Sequence, residues 1–310
     1  MRRMIRPPLA ILYEHPEWFR PLFAALDARG ILYRPLDLTD HRFDPESRTP
    51  PAPVILSRVA MSGFLRDAEH GIFYASALLD HWRACGARVL NGADVLAVDA
   101  SKARQLSLIA GLGLGVPRTR VVHRPQDVPA AAAAIGVPLL VKANIGGAGA
   151  GIARYHSIDD VRAALADGTL PQSIDKVLLV QELVPARGGT ITRIETVAGH
   201  FLYALEIESG GAFDLCPADA CVAAPGRAAI RMAATEPTPN VVAAAERIAQ
   251  VVGMDVGGVE LMIDDRDGVP RFYDINALSN FVARPLDVLG WDPHERLVDY
   301  LEQAIAEQRP

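Results

Sequence analysis

At 310 residues, half of them apolar and 22% charged, the chain can bury an enzyme-sized core, which excludes a disordered tail or a small module. The formal net charge is −6 and the 31 Lys and Arg residues are scattered rather than clustered, so nothing points to nucleic acid or a membrane surface as partner. The three cysteines, Cys85, Cys216 and Cys221, suit a reducing compartment better than a disulfide framework. The early apolar run LAILY is too short for a signal h-region or a membrane span, and the chain reads as cytoplasmic.

In chain order, residues 9–13 read as a strand and residues 17–29 carry helical spacing that stops at Gly30. Residues 31–36 and 54–57 are further strand candidates, separated by a polar, proline-rich loop over 40–53, and residues 74–85 read as a helix. Alternation of this kind predicts a parallel sheet, so residues 1–97 are expected to form an N-terminal α/β domain. Residues 101–113 read as a helix with Lys102 near its start. A loop and strand follow, then an alanine-rich helix over 127–135, a strand over 138–142, a glycine-rich loop over 144–151 and a helix over 158–166. This is the content of a small α+β subdomain, expected over 98–178. A third unit opens on a strand over 177–181 and shows alternation at 192–197 and 201–207. An irregular stretch over 209–239 precedes a helix over 240–252 and two strands, 258–263 and 271–275, joined by DDRDG. Residues 179–310 are therefore expected to form a C-terminal α+β domain. No internal repeat is present.

The late strands GGVELMID and RFYDINALSN place Glu260, Asp274 and Asn276 where a hairpin brings oxygen ligands onto one face, since positions i and i+2 of a strand share a face. Two carboxylates and an amide oxygen suit a hard cation such as magnesium, which keeps waters and takes further ligands from substrate phosphates. Leu261, Ile263, Phe272 and Ile275 look like core residues, so the acids stand where an unpaired charge is costly; a hairpin with a solvated polar face is the alternative. In PLLVKANIGGAGAGIARY a buried-type strand delivers Lys142 and then Gly146, Gly147, Gly149 and Gly151. Such a loop lets backbone N–H groups approach a polyphosphate while the lysine offsets its charge, or it is a flexible turn between antiparallel strands. A dinucleotide fingerprint is disfavoured because residues 152–155 read as a strand where that motif needs a helix. The strand VLLVQELV ends in Gln181 and Glu182, where a hinge can offer acceptors to an adenine edge; by itself it is an ordinary strand end.

The order of these features resembles the ATP-grasp superfamily, most closely its RimK-like carboxylate–amine ligases, over nearly the whole chain. The resemblance implies an ATP-grasp fold of the three units above and an ATP-dependent ligase that joins a carboxylate to an amine through an acyl phosphate. It places Lys102 and Lys142 on the phosphates or ribose, Gly146, Gly147, Gly149 and Gly151 in the mobile loop over them, and Gln181, Glu182, Leu183 and Val184 around the adenine. Glu260, Asp274 and Asn276 would hold two Mg2+ ions, with Mn2+ as a substitute, and Arg193 would lie near the γ-phosphate and acyl group. The expected substrates are a small-molecule or peptide carboxylate and amine, and a homo-oligomer fits by analogy. A kinase on the same scaffold and a nucleotide-binding regulator without turnover are the alternatives.

The sequence also departs from the family pattern. The stretch PARGGTIT lacks the acid usually directed at the ribose hydroxyls, leaving Thr190 or Thr192 or another element for that role. After Asn276 the chain reads NALSNFVARP where the family commonly has Asn-x-x-Pro and glycine, which makes Asn280 and Arg284 substrate candidates. Arg284 reads equally as a surface arginine before Pro285. Arg58 ends the third strand, where ligands bind beyond the carboxyl ends of parallel strands, and is a candidate for a substrate carboxylate. Glu14 and His15 lie in the same layer, and His15 reads as a surface histidine. Cys216 and Cys221 have no second Cys/His pair to complete a zinc site; their loop is placed near the acceptor site, with Arg227 or Arg231 reaching the phosphates.

Overall fold

The computed structural model describes residues 6–66, 71–147, 149, 151–208 and 231–308. Its first sheet is parallel, with β1 (Leu9–Tyr13) between β2 (Tyr33–Asp37) and β3 (Val54–Arg58), and with β4 (Arg88–Leu90) beside β3. β1 is buried along its length because both faces are covered. Ala10 and Leu12 meet Leu78, Leu79 and Trp82 of the helix Gly71–Ala84 on one side. Leu9 and Ile11 share a core with Tyr203, Phe281, Leu297 and Leu301 on the other. The last helix, Pro293–Glu307, thus packs on the first sheet, and Arg29 ties it there through Glu295, Asp299 and Glu302 at 2.8–2.9 Å.

The second sheet is antiparallel, in the order β5 (Thr119–Val122), β8 (Leu178–Glu182), β6 (Leu139–Ala143), β7 (Ile152–Tyr155). The strand expected to open the third unit is therefore β8, paired on both sides within the second sheet. The third sheet runs β11 (Arg231–Thr235), β10 (His200–Glu208), β9 (Thr190–Val197), β12 (Val256–Ile263), β13 (Pro270–Asn276), all antiparallel. The sequence reading did not include β4, β11, the helix Ala93–Asp99 or the helices after residue 284. The first three elements are short and carry too few periods to stand out. Among the described residues no helix is long and apolar enough to cross a membrane.

Lys102 begins the helix Lys102–Gly111, whose start is fixed twice. Ser101 caps it by accepting from the Arg104 amide, and Asn144 Oδ1 accepts from the Ala103 amide at 2.9 Å. Fully buried Gln105, one turn on, donates to the carbonyls of Asp99 and Ile275 and accepts from the Ile275 amide. That side chain welds the helix of Lys102 to the strand of Asp274. Replacing Gln105 by Leu orphans these buried backbone groups and is expected to lower unfolding free energy by about 2–4 kcal/mol, measured by urea denaturation; a loss under about 1 kcal/mol would refute the weld.

Candidate active site

The site grows from the pairing of β12 with its two neighbours. Glu260 lies directly opposite Asp274 of β13 and opposite Arg193 of β9. Side chains in register on adjacent strands share a face, so two carboxylates and a guanidinium are brought together, all buried or nearly so. Arg193 Nη1 donates to Glu260 Oε1 at 2.9 Å and Nε to Glu195 Oε1 at 2.6 Å, while Lys102 Nζ donates to Asp274 Oδ1 at 2.5 Å. Asn276 Nδ2 reaches Glu260 Oε1 at 3.4 Å. Gly258 makes room for this cluster: a Cβ there would stand 3.0 Å from the Glu195 carboxylate and 3.1 Å from Arg193 Nε.

A bulge sets the phase of β13. The register slips between Glu260 and Leu261, so that Asp274 and Phe272 are both paired and Tyr273 is the extra residue. Strict alternation would put Phe272 on the face of Asp274 and Asn276. With the bulge, Phe272 and Ile275, three apart, are both core residues, 2% and 1% exposed, and Tyr273 turns toward Glu260 and Lys142. The expected core role of Phe272 and the expected ligand role of Asp274 are compatible only because of it.

Lys142 comes from the facing sheet. Its Nζ lies 5.5 Å from the Tyr273 ring centroid and donates to Gln181 Oε1 at 3.1 Å; Gln181 in turn donates to Thr119. Burial, and secondarily Lys102, push the Lys142 ammonium down to about 8. Burial opposes the charge of Lys102 too, but Asp274 and Glu260 outweigh it and hold that ammonium above its usual range. Glu260 is raised by burial and by Asp274, against Arg193 and Lys102. Asp99, unnoticed in the sequence, is raised to about 7 by burial and by Asp274. Glu195 was legible in principle, since Arg193-x-Glu195 shares a strand face.

The glycine loop follows Lys142. Gly149 and Gly151 both have φ of 72°, and a Cβ on Gly151 would stand 2.7 Å from that of Ala143. Gly147 rests on the turn Met61–Leu65 of the first unit, where an added Cβ would meet the Ser62 Cβ at 3.0 Å; Gly146 precedes it, half-buried. The Glu182 side chain is engaged within the protein. Its carboxylate accepts from the Arg118 amide at 2.8 Å and from the Arg118 and Arg266 guanidiniums, which together overcome burial and hold it below its usual range. It is a hinge anchor, so the hinge has Gln181, the backbone and the half-buried Leu183 and buried Val184 to offer, and the Leu183 amide already donates to Pro138.

Arg58 is 2% exposed, donates weakly to the Ala277 carbonyl at 3.4 Å, and has no partner for Nε among the described residues. Burial lowers it to about 10, with Glu195 and Asp99 opposing. Asn280 and Arg284 line a separate cleft beside the cluster. Arg231 is not gathered with the rest: it is exposed at the edge strand β11, 3.6 Å from Glu208. Arg227, Cys216 and Cys221 lie outside the described residues. Glu14 is committed to Arg66, and His15 stacks on Trp18 with centroids 4.5 Å apart.

No family model matches the chain. A probable alpha-L-glutamate ligase from Thioalkalivibrio sulfidiphilus is 28% identical over 242 residues, covering 74% of this chain and 72% of that protein. Among solved structures, the ATP-grasp ligase PsnB with a phosphomimetic variant of its minimal precursor, Mg and ADP aligns at TM-score 0.69 and 20% identity, over 97% of this chain and 98% of that one. A RimK domain ATP-grasp protein from Sphaerobacter thermophilus gives 0.68 at 20% identity, over 94% and 99%. The structural matches establish the fold, and the alignment to the probable glutamate ligase spans most of both chains. The chain has the ATP-grasp fold.

A Lys142 ammonium set against nucleotide phosphates, the role expected from the sequence, is worth most when charged. The free protein holds that charge below about pH 8 and loses it above. Affinity for ATP is therefore expected to fall by up to about tenfold per unit between about pH 8 and pH 9, read by fluorescence titration with mant-ATP at fixed magnesium. Lys142→Arg, which stays charged, should remove the fall; a flat wild-type profile would refute the assignment.

Proposed function

We propose that the ligation runs in the space bounded by Lys102, Lys142, Arg193 and the Glu260–Asp274–Asn276 group, with the carboxylate substrate entering from the Arg58 side. The observation that carries this reading is the direct opposition of Glu260 and Asp274. Like charges opposite one another on adjacent strands repel, and burial deepens the cost. Cations relieve it, as does a proton on Glu260, which burial favours, and Lys102 and Arg193 stand there in this structure. Two carboxylates and the Asn276 amide oxygen fit the oxygen preference of magnesium, with two ions expected and Mn2+ a substitute. Magnesium bound there offsets charge on the transferring phosphoryl group.

The chain's own residues do the rest. Lys102 and Lys142 place ammonium groups against phosphate oxygens, and Gln181 to Val184 border the adenine. Gly146, Gly147, Gly149 and Gly151 bring backbone N–H groups over the phosphates, and the contact of Gly147 with Ser62 shuts water out. Arg58 offers an unused buried N–H to the substrate carboxylate. Arg193, held in place by Glu195 and Glu260, steadies the acyl phosphate until the amine displaces phosphate. No side-chain nucleophile is needed; positioning and preorganised charge supply the rate. Asn280 and Arg284 are assigned to the acceptor side. The relatives' name specifies glutamate; here the substrates are a carboxylate and an amine, free or at a peptide end, in the cytoplasm.

The test is ATP consumption with magnesium against carboxylates and amines offered singly and in pairs, scoring ADP, phosphate and product mass. A pair-dependent product lighter by one water than the summed masses is the expected result. Phosphate attached to a single compound would replace the ligase by a kinase. Asp274→Asn is expected to lower turnover by about 100-fold or more; an unchanged rate would sink the metal assignment.

A further inference from the structure

A cleft of about 430 Å³ opens beside the cluster just described. One wall is the turn Pro16–Phe19, immediately beyond the carboxyl end of β1; the other is the segment that leaves Asn276 and runs to the last helix. That segment is fixed at nearly every step. The Ala277 carbonyl accepts from Asn91, the Ser279 hydroxyl from Arg193 and from the Phe281 amide, and the Val282 amide donates to the Tyr203 hydroxyl. Phe281 and Arg284, neither a glycine, have φ of 58° and 48°. Asn280 points the other way from these anchors. It lines the cleft, and its Oδ1 is a buried acceptor with no donor among the described residues.

The lining has a definite chemistry. Its carboxylates are Glu17, Asp287 and Asp292. Glu17 pairs with Arg20 across an exposed contact, and Asp287 with Arg284 at 3.8 Å, where the Arg284 side chain is 77% exposed at the rim. Such pairs neutralise weakly. Asp292 is bound to His294 and caps the last helix. Between the acids lie the apolar surfaces of Trp18, Val282 and Leu286. An occupant that completes this surface brings an N–H donor for Asn280, positive charge for the acids and an apolar flank, and brings no carboxylate of its own.

We propose that this cleft is the amine-acceptor subsite and selects an amine with an apolar flank whose own carboxyl group is blocked or absent, as in an amino-acid amide or the N-terminal residue of a peptide. The assignment rests on the ligase reading and narrows it, since it disfavours an acidic amino acid as acceptor. Asn280 and the rim acids are then positioning residues for the amine, joined to Arg193 through Ser279.

The experiment is a calorimetric titration of the full chain, held with AMPPNP and magnesium, by L-leucinamide, L-leucine and L-glutamate. The expected affinity order is L-leucinamide, then L-leucine, then L-glutamate. Glu17→Gln combined with Asp287→Asn should weaken L-leucinamide about fivefold, the scale of exposed charge pairs. Asn280→Ala should weaken all amines while leaving the circular dichroism and thermal midpoint of the folded chain in place. L-glutamate binding as tightly as L-leucinamide, an unchanged double variant, or no binding of any probe each overturns the proposal. mant-ATP binding to the wild-type chain, measured separately, distinguishes the two levels: its absence would sink the ligase reading, whereas its presence with a preference for glutamate would sink only the acceptor assignment. L-leucinamide and a short leucine-led peptide, compared in the same way, separate a free small acceptor from a peptide end.

Discussion

Two carboxylates facing each other across adjacent strands in a dry interior are the constraint on which the rest of the structure turns. Glu260 and Asp274 cannot both be ionised there without cations, and in this structure a lysine from a helix and an arginine from a third strand supply them. The cost of that arrangement explains its scaffolding. Gly258 has no side chain because Glu195 and Arg193 lie against its backbone. Gln105 fixes the distance between the helix of Lys102 and the strand of Asp274. The bulge at Tyr273 lets one short strand present hydrophobic side chains to the core and ligands to the site.

The three sheets divide the remaining work. The second carries Lys142 and the glycine loop, and Lys142 already stands 5.5 Å from the Tyr273 ring of the third, so the two sheets face one another across the candidate site. The Glu182–Arg118–Arg266–Asp264 network joins those sheets at the hinge with buried carboxylates and exposed guanidiniums. The arginine ends of this network remain in water.

Much of the architecture was legible from hydrophobic periodicity. The helix Ile158–Ala166 has a capping box at Ser157 and Asp160, and its bounds follow from the sequence. β1 shows itself as a short apolar run between polar residues. What stayed hidden depended on contacts distant in sequence. The pairing partners of β8 are set by tertiary hydrogen bonds, so it was grouped with the wrong unit. Glu182 looked like a ligand until two arginines 64 and 84 residues away claimed it. Asp99 has no motif of its own and becomes notable only when folding sets it beside Asp274. The bulge is invisible because strand alternation assumes it away. Motif order pointed to a nucleotide site; the cleft beside Asn280 required coordinates.

The contact between Gly147 and Ser62 links two things usually considered apart. Ser62 lies four residues beyond Arg58, in the same stretch of the first unit that follows β3. On the proposed reading, the cover over the phosphates rests on the same part of the chain that meets the carboxylate. A wrongly seated acid would then disturb the surface on which the cover lies. Fidelity toward the acid and protection of ATP from water would, on that reading, be a single mechanical event.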